Sequence, residues 1–589
     1  MGWYDMFNIP SVAGDAKYSD DHFGGNLLAP RGDLLGDGSY AEAIERLGVS
    51  GLRYPGGALT EYVFDITDPD AEVVYDPRSD EEQTMIGLTD FMSYALDAEQ
   101  PVTIVVPTRT QISENVDENG DRYADIDEAE LRAFVQSVVT GEFGDAIIQA
   151  FEIGNEYWGS GEMNALEYGR VASEMATVIN DELEKAGNFE THVVVQKGNN
   201  FGYSRLSDNY EGVPGDEVLA TLNEVYGAEF DNTALFNSGD VNWGFVNSKL
   251  VLSSFDTDIA KESVDGVVTH IYSRGHVAEV TRYFDLDQIN DTWSEDIPGV
   301  EIYITEWNLK STPSLDREED YGLFQGQEML QIMEEFGRTG VDKAHVWPLI
   351  QITRNALSEG NDFESATPPG EMFALMSETL PGKVLLDFKE DDKDTEAEFG
   401  DVSVHMFAGE DELAFYIMNG SKKSAASADI DLSSLVNDYK VSDILVLGVE
   451  DGEIPGSNKS QPVVEELDEN IIQDGKFQAS LSPGEIMQVV LTNVVPTEGF
   501  EDVWNEANSV DPFADEVIPQ PAPVAKPEPV FDPQTEFEHV IPDVPLNDVT
   551  DDEAEDVSGD EEDGDMFAGL GWAGGLLLLL AVGAGGFAG

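Results

Sequence analysis

Short, almost continuously apolar segments alternate with amphipathic segments between residues 21 and 372. The apolar segments have the length of buried strands, and they are HFGGNLL, SGLRYPGG, PVTIVVPT, IIQAFEIGNEYW, HVVVQKGN, VDGVVTHIYS, EIYITEWN and KAHVWPLIQ. Segments between them, such as YAEAIERLG and EAELRAFVQSVV, repeat apolar residues with the period of a helix. Buried strands that are each followed by a helix indicate a parallel sheet covered by helices.

Eight such strands predict an α/β fold in which the sheet closes into a (β/α)8 TIM barrel. The alternative is an open, doubly wound sheet, although no glycine-rich phosphate loop follows the first strand. In a TIM barrel the chemistry takes place at the carboxyl ends of the strands. Polar residues at those strand ends are therefore the first candidates for a site.

The pattern changes after the barrel, where residues 373 to 497 alternate apolar and polar positions in short runs. The runs DVSVHMFAG, ELAFYIMNG, KVSDILVLG and GEIMQVVLT are separated by turn-forming residues. This pattern predicts a small antiparallel β-sandwich as an accessory domain. Residues 1 to 20 are expected to form a lead-in to the barrel.

The last part of the chain has a different composition. Residues 498 to 565 are acidic and proline-rich, which predicts a disordered linker. Residues 566 to 589 form an uncharged, apolar segment that would span about 35 Å as a helix, enough to cross a bilayer. We expect a membrane anchor, with insertion of this segment, or a sorting tail, and hence an extracellular or cell-surface protein. The N-terminal residues lack the basic and apolar regions of a signal peptide, so the sequence predicts no export route.

Charge and cysteine content exclude several classes of function. The chain has 119 acidic and 30 basic residues, a formal net charge of −89. Such a chain repels nucleic acids and anionic membrane surfaces, so we expect neither as a partner. The sequence has 0 cysteines, which excludes disulfides, zinc–thiolate sites and a thiol nucleophile.

Two glutamates end strands that the barrel places across its mouth from each other. Glu156 follows the fourth predicted strand in FEIGNEYWG, and Glu306 ends the seventh in EIYITEWN. Two carboxyl groups that converge on one cleft are what cleavage of a glycosidic bond requires, one as proton donor and one as nucleophile or base. A polysaccharide or oligosaccharide is therefore the expected substrate.

These motifs resemble those of clan A glycoside hydrolases, which have an Asn-Glu pair after strand four and a Glu at the end of strand seven. LRYPGG, residues 52 to 57, is similar to the strand-two motif of the α-L-arabinofuranosidase, β-xylosidase and heparanase-like branches. The resemblance covers about residues 20 to 495. It implies a retaining glycosidase that acts on a plant- or algal-type glycan by double displacement, with Glu156 as acid/base, Glu306 as nucleophile and no required cofactor.

The resemblance also implies roles for residues around this pair. Asn155 would hydrogen-bond the 2-hydroxyl of the sugar, and Arg53 would hold Glu306 ionised through its charge. Tyr272 or His270, on strand six, would orient the nucleophile by a hydrogen bond. The tryptophans expected to stack on sugar rings are Trp158, Trp307 and Trp347.

One acidic segment has the spacing of a calcium loop. DENGDRYADIDE places ligand-type residues at EF-hand positions one, three, five, nine and twelve, namely Asp117, Asn119, Asp121, Asp125 and Glu128. Position six, normally glycine, is Arg122. The competing interpretation is an acidic loop in which Asp127 caps the next helix. A structural calcium ion is thus one of two interpretations.

Three other functions are compatible with the same fold. The main alternative is a catalytically inactive carbohydrate-binding or adhesion protein, against which the intact pair Glu156 and Glu306 argues. The others are an inverting or phosphorolytic carbohydrate enzyme, and a structural surface protein in which the barrel is a spacer.

Overall fold

A closed barrel of parallel strands forms the centre of the structure, a computed structural model that describes residues 5–14, 16–30, 32–389 and 395–509. The strands in chain order are β1 (Asp5–Met6), β2 (Ser11–Ala13), β3 (Gly24–Asn26), β4 (Leu52–Tyr54), β5 (Val73–Asp76), β6 (Glu81–Thr84), β7 (Val102–Val106), β8 (Ile112–Val116), β9 (Arg122–Ala124), β10 (Ile148–Ile153), β11 (His192–Gln196), β12 (Gly266–Ser273), β13 (Glu301–Leu309), β14 (Lys343–Val346), β15 (Val384–Asp387), β16 (Ala397–Phe399), β17 (Val402–Gly409), β18 (Glu412–Asn419), β19 (Ala426–Asp431), β20 (Val436–Val449), β21 (Pro462–Glu466), β22 (Lys476–Leu481) and β23 (Ile486–Pro496).

Helices connect the barrel strands and cover their outer face. The α-helices are α1 (Tyr40–Leu47), α2 (Leu59–Val63), α3 (Leu88–Asp97), α4 (Glu128–Val139), α5 (Ala165–Ala186), α6 (Gly215–Tyr226), α7 (Trp243–Leu252), α8 (Asp258–Glu262), α9 (Phe284–Asp296), α10 (Leu323–Thr339), α11 (Pro368–Thr379) and α12 (Glu501–Ser509). Local sequence fixes several of their ends. Asp127 caps α4 by accepting a hydrogen bond from Glu130 N, and Asn164 forms a capping box with Glu167 at the start of α5.

The barrel strands are the eight that the hydrophobic pattern predicts. Their order around the barrel is β3, β4, β7, β10, β11, β12, β13 and β14, and parallel pairing of β14 with β3 closes it. The predicted (β/α)8 TIM barrel is confirmed, and the open doubly wound sheet is wrong because an open sheet leaves two unpaired edges. Residues of β4 and β7 are buried throughout, as expected for strands covered by side chains on both faces.

The second part of the structure is an antiparallel β-sandwich, as predicted. One sheet has the order β2, β15, β17, β18, β23, β20, β21, with β16 also paired to β17, and the smaller sheet has the order β1, β19, β22. Side chains of both sheets meet in one core, in which Ile430 and Phe477 of the small sheet join Phe415 and Val489 of the large one. The alternation of apolar and polar residues along these strands produces this buried face.

The outer face of the large sheet packs on the barrel helices rather than facing solvent. Phe407, Tyr416 and Ile486 belong to the same hydrophobic core as the barrel. The Tyr416 hydroxyl donates to the carbonyl oxygen of Leu375 in α11 at 3.1 Å. Gln327 in α10 donates to the carbonyl of Asn419 at 3.0 Å. The barrel and the sandwich therefore share a continuous buried interface.

Both ends of the sandwich depart from the predicted boundaries. Strands β1 and β2 lie within the predicted lead-in, residues 1 to 20, yet they pair with β19 and β15 of the sandwich. Helix α12 lies in the segment predicted as linker, but Trp504 and Ala507 on its inner face, together with the preceding Phe500, are buried in the sandwich core. The linker prediction is thus wrong for residues 498 to 509, because an acidic segment with a few spaced apolar residues can still bury one face.

The predicted remainder of the linker and the predicted membrane segment, residues 566 to 589, lie outside the described residues. Within the part of the chain that the structure describes, no helix is long and apolar enough to span a membrane.

Candidate active site

The two predicted carboxylates meet at the carboxyl end of the barrel. Glu306 lies on β13, and Glu156 lies in the turn that follows β10. Carboxylate oxygens of both residues and a ring nitrogen of His270 lie within 4.8 Å of one another. The Glu156 side chain is 35% exposed and that of Glu306 only 6%. One carboxylate therefore faces the cleft and the other lies below it, within reach of the same bound group.

Arg53, the central residue of β4, uses all five of its N–H groups in hydrogen bonds around this pair. Its Nε and Nη2 donate to the two carboxylate oxygens of Glu152 at 2.7 and 2.9 Å. Its Nη1 donates to Glu306 at 2.9 Å and to Asn26 at 3.0 Å. Its Nη2 also donates to Oδ1 of Asn155 at 2.8 Å. Because Arg53 is fully buried, these charge-assisted bonds fix the position of Glu306 in a site of low polarity.

Glu152 and Asn26 were not predicted as site residues. Glu152 is fully buried on β10, where Thr305 also donates to it at 3.2 Å. Asn26 ends β3 and donates to the carbonyl oxygen of Thr305 at 2.8 Å. The signal for Glu152 was present in FEIGNE, because a carboxylate inside a buried strand needs a cationic partner. Asn26 ends an otherwise small and apolar strand, which is a weaker signal.

Tyr272 and Arg53 hold the two oxygens of the Glu306 carboxylate. The Tyr272 hydroxyl, on the neighbouring strand β12, donates to Oε2 of Glu306 at 2.7 Å, while Arg53 binds Oε1. Burial, and then the negative charge of Glu306, raise the pKa of Tyr272 well above its usual value. The phenol therefore remains protonated and acts only as a donor to the carboxylate.

His270 lies between the two glutamates. Its Nδ1 is 3.1 Å from Oε1 of Glu156 and 3.6 Å from Oε2 of Glu306. Burial lowers the pKa of His270, but the charges of Glu306 and Glu156 and the hydrogen bond to Glu156 raise it overall above 6.5. For Glu156, burial raises the pKa, and the hydrogen bond and charge of His270 outweigh it and lower the pKa below its usual value. The proton of this pair therefore lies mainly on His270 in the unliganded protein.

The turn that presents Glu156 is held by a buried carboxylate that sequence reasoning missed. Glu61 accepts hydrogen bonds from the backbone N–H groups of Asn155, Thr108 and Arg109, each at 2.8 Å. Glu156 itself has a φ of 42°, a left-handed conformation that costs about 1–3 kcal/mol for a non-glycine residue. The contacts of Glu61 offset part of this strain and aim Glu156 into the cleft.

Asn155 has one side-chain group left for a ligand. Its Oδ1 accepts from Arg53, and its Nδ2 has no acceptor within the described residues. This residue is next to Glu156 in the same turn. Its predicted contact to a sugar hydroxyl stays a prediction.

The three predicted tryptophans have different positions. Trp347 is partly exposed at the end of β14 and lies against Gly57, where an added Cβ atom would be 2.6 Å from its ring. Trp158 is largely buried and meets the His270 ring edge-on, with centroids 6.3 Å apart. The prediction for Trp307 is wrong, because this residue points away from the barrel axis and is fully buried against Phe336 and Phe373.

The residues predicted to bind calcium are spread over the turn between β8 and β9, the segment after β9 and the start of α4. They are Asp117, Asn119, Asp121, Asp125 and Glu128. Asp117 closes the turn between β8 and β9 by accepting from the backbone N–H of Asn119 at 2.8 Å, and Arg170 donates to its other oxygen at 2.5 Å. Glu128 is exposed at the start of α4 and pairs with Arg132. No three of the four acidic residues converge as ligands, so this geometry favours the alternative in which Asp127 caps α4.

Several solved structures of α-L-arabinofuranosidases have the same architecture. The arabinose complex of the enzyme from Thermotoga maritima matches with a TM-score of 0.55 at 15% identity, over 82% of this chain and 98% of that chain. A family 51 α-L-arabinofuranosidase from Bifidobacterium longum matches with a TM-score of 0.54 at 16% identity, over 82% of this chain and 99% of that chain. The GH51 α-L-arabinofuranosidase from Thermotoga petrophila matches with a TM-score of 0.53 at 16% identity, over 82% of this chain and 98% of that chain.

No protein-family model matches the sequence, and no curated protein sequence matches it. At these identities the structural likeness shows a shared fold. The barrel and the following β-sandwich that the motif resemblance implied are the fold that these structures share.

Proposed function

We propose that the protein is a retaining glycoside hydrolase in which Glu306 is the nucleophile and Glu156 the acid/base. The observation that carries this proposal is the convergence of the two carboxylates, whose oxygens lie within 4.8 Å of each other in one cleft. Retaining enzymes separate their carboxyl groups by about 5–5.5 Å, whereas inverting enzymes need about 6.5–9.5 Å to place a water between them. The close spacing supports retention over inversion.

In the first step, Glu306 attacks the anomeric carbon while Glu156 protonates the leaving oxygen. Arg53 and Tyr272 donate hydrogen bonds to both oxygens of Glu306 and fix their positions, so little reorganisation is needed for the attack. The proton for the leaving group comes from the Glu156–His270 pair. A bound sugar displaces water from the exposed side of Glu156, and this desolvation raises the affinity of its carboxylate for the proton.

In the second step, Glu156 takes a proton from water, which then attacks the glycosyl-enzyme. Formation of the ester removes the negative charge of Glu306. Charge repulsion between the two carboxylates then no longer favours the protonated form of Glu156. The pKa of Glu156 falls at this stage and the residue becomes a base, as the reverse direction of proton transfer requires. The Asn155 Nδ2 group is available to bind a sugar hydroxyl in both steps.

For the substrate, we propose an oligosaccharide or polysaccharide with an α-L-arabinofuranosyl unit as the first candidate. The support is the shared fold with arabinofuranosidases and LRYPGG, residues 52 to 57, which is similar to the strand-two motif of the α-L-arabinofuranosidase, β-xylosidase and heparanase-like branches. Trp347, beside Gly57, is partly exposed, whereas Trp158 and Trp307 are buried, so it is the first of the three candidates to stack on a sugar ring. The chemistry derived for these residues requires no cofactor. An extracellular or cell-surface location and a structural calcium ion remain predictions from the sequence alone.

A panel of nitrophenyl glycosides tests the proposal. The panel contains the arabinofuranoside, xyloside, glucoside and glucuronide, and Glu306→Gln serves as the inactive control. We expect release of nitrophenol from at least one substrate, with NMR showing a first-formed sugar of the same anomeric configuration. A first product of inverted configuration would exclude the retaining mechanism. Binding of glycans without hydrolysis of any substrate would favour the carbohydrate-binding alternative.

A further inference from the structure

The turn that presents Glu156 is strained near both of its ends. We call residues 154 to 162 the acid/base turn, which follows strand β10. Two of its residues have left-handed backbone conformations although they carry a Cβ atom, Glu156 with a φ of 42° and Glu162 with a φ of 55°. Such conformations are costly and persist only where surrounding contacts enforce them. The acid/base turn therefore needs support at both ends.

Glu61, on α2, fastens the first end of the acid/base turn. Its Oε1 accepts from the backbone N–H of Asn155 at 2.8 Å and from the Thr108 hydroxyl at 3.0 Å. Its Oε2 accepts from the backbone N–H groups of Thr108 and Arg109, both at 2.8 Å. Glu61 is 5% exposed, and a Cβ atom added to Gly154 would lie 3.2 Å from its Oε1. Glu61 therefore joins the backbone of the loop after β7 to the backbone of the acid/base turn.

Arg109 fastens the second end of the acid/base turn. Its Nη2 donates to Oε1 of Glu162 at 2.6 Å, and its guanidinium carbon lies 4.2 Å from the centre of the Tyr62 ring. Stacking on an aromatic ring orients the planar guanidinium before it binds the carboxylate. The side chains of this ion pair are 29% and 34% exposed, so water weakens it, and we assign the larger share of the support to Glu61.

Release of these contacts would move Glu156 more than Glu306. Glu306 lies on β13, and Arg53 and Tyr272 hold its two carboxylate oxygens. Among the residues that the structure describes, the Glu156 carboxylate has one hydrogen-bond partner, Nδ1 of His270 at 3.1 Å. A loosened turn therefore displaces the proposed acid/base and leaves the proposed nucleophile in place.

We propose that Glu61 and Arg109 are positioning residues for the acid/base, and that they affect the reaction through the position of Glu156. This inference rests on the proposed function of the site. A misplacement of a reacting group by about 1 Å costs about 100-fold in rate. The loss should depend on the substrate, because a leaving group such as dinitrophenol needs no proton from Glu156, whereas an alcohol or a sugar does.

The dependence on the leaving group tests this role. In Glu61→Gln one oxygen becomes an amide N–H₂ group, so two of the four donors lose their acceptor. We expect kcat/KM to fall about 10- to 100-fold with a methyl glycoside and less than about threefold with the dinitrophenyl glycoside of the same sugar. Arg109→Gln, at a partly exposed position, should show the same pattern with a smaller loss.

A matched control uses another buried glutamate. Glu334, on α10, is also 5% exposed, and its Oε1 lies 2.7 Å from Nδ1 of His405 in the sandwich. Glu334→Gln should lower the unfolding temperature but leave the ratio of the two kcat/KM values as in the wild type. A ratio that shifts in Glu334→Gln as far as in Glu61→Gln would show that loss of stability, and not the position of Glu156, causes the effect.

Combination with Glu156→Ala separates positioning from a general structural effect. With the dinitrophenyl glycoside and added azide, Glu61→Gln should not slow Glu156→Ala further, because the group that it positions is absent. A further loss of about tenfold, or equal losses on both substrates in the single variants, would overturn the proposal. Should Glu61→Gln fail to fold, Arg109→Gln decides the question in the same two assays. Wild-type activity of Glu156→Ala on the methyl glycoside would instead refute the proposed function, and this inference with it.

Discussion

Replacing Tyr272 by phenylalanine tests how the site stabilises its nucleophile. The substitution removes one oxygen, the donor that lies 2.7 Å from Oε2 of Glu306, and leaves the partly buried ring in place. The bond is strongest when Glu306 carries a full charge. That charge is present in the free enzyme, is lost as the glycosyl-enzyme forms, and returns as the ester is hydrolysed.

The size of the effect follows from the type of bond. A hydrogen bond to a charged group contributes about 1.5–3 kcal/mol, and about 1.4 kcal/mol corresponds to a tenfold change in rate. Hydrolysis of the glycosyl-enzyme should therefore slow by about 10- to 150-fold in Tyr272→Phe. Formation of that intermediate should slow much less, because its transition state has already lost part of the charge on Glu306.

Stopped-flow kinetics with a dinitrophenyl glycoside separates the two steps. We expect a burst of dinitrophenol followed by a slow steady state, with kcat reduced and kcat/KM largely kept. Tyr303→Phe is the matched control, since it removes the same oxygen from a tyrosine whose hydroxyl lies 2.8 Å from Nδ1 of His192, away from the two glutamates. A kcat/KM that falls as far as kcat, or a kcat equal to that of the control, would refute this account of Tyr272.

Two further predictions concern stability and pH. Because α12 packs in the sandwich core, a chain ended after Thr497 should unfold at a lower urea concentration than one ended after Ser509. Trp504→Ala should lower the free energy of unfolding by about 3–5 kcal/mol. Equal urea midpoints for the two truncations would show that α12 does not stabilise the sandwich. The raised pKa of His270 means that the Glu156–His270 pair keeps its proton until the pH rises above 6.5, so kcat/KM should fall on the alkaline side with an apparent pKa above that value. His270→Gln should move this alkaline limb to lower pH, and a pH profile identical to that of the wild type would contradict the shared proton.

The barrel and the position of its two glutamates could be predicted because both depend on local patterns. Each barrel strand is a continuous apolar segment, and the residue at its end is identified by counting along the chain. Glu156, Glu306, Arg53 and Tyr272 all follow from this rule, and the structure brings them together. Once the sheet is predicted to close into a barrel, these four residues are predicted to lie at the same end of it.

Features that depend on the direction of a side chain could not be predicted in this way. A strand buried on both faces has no alternation, so the sequence does not indicate that Glu306 points inward and Trp307 outward. In addition, the pairing of β13 with β14 shifts its register between Ile304 and Trp307, which the sequence pattern does not indicate. The hydrogen bonds of Glu61 to Asn155 join segments far apart in sequence, which no local pattern reports.

Long-range pairing also explains the misplaced domain boundaries. Strand β2 has only three residues and pairs with β15, far along the chain. Helix α12 has a weak apolar face in a strongly acidic segment, so its composition resembled that of the linker. Both elements are stabilised by the sandwich core rather than by their own propensity.

Azide rescue of Glu156→Ala tests the assignment of the two glutamates most directly. With a dinitrophenyl glycoside, whose leaving group needs no proton, this variant should still form the glycosyl-enzyme on Glu306. Azide should then accelerate turnover and give a glycosyl azide of retained configuration, because it attacks from the side on which Glu156 normally activates water. A glycosyl azide of inverted configuration from Glu156→Ala would contradict the account, and the retained product from Glu306→Ala instead would reverse the two roles.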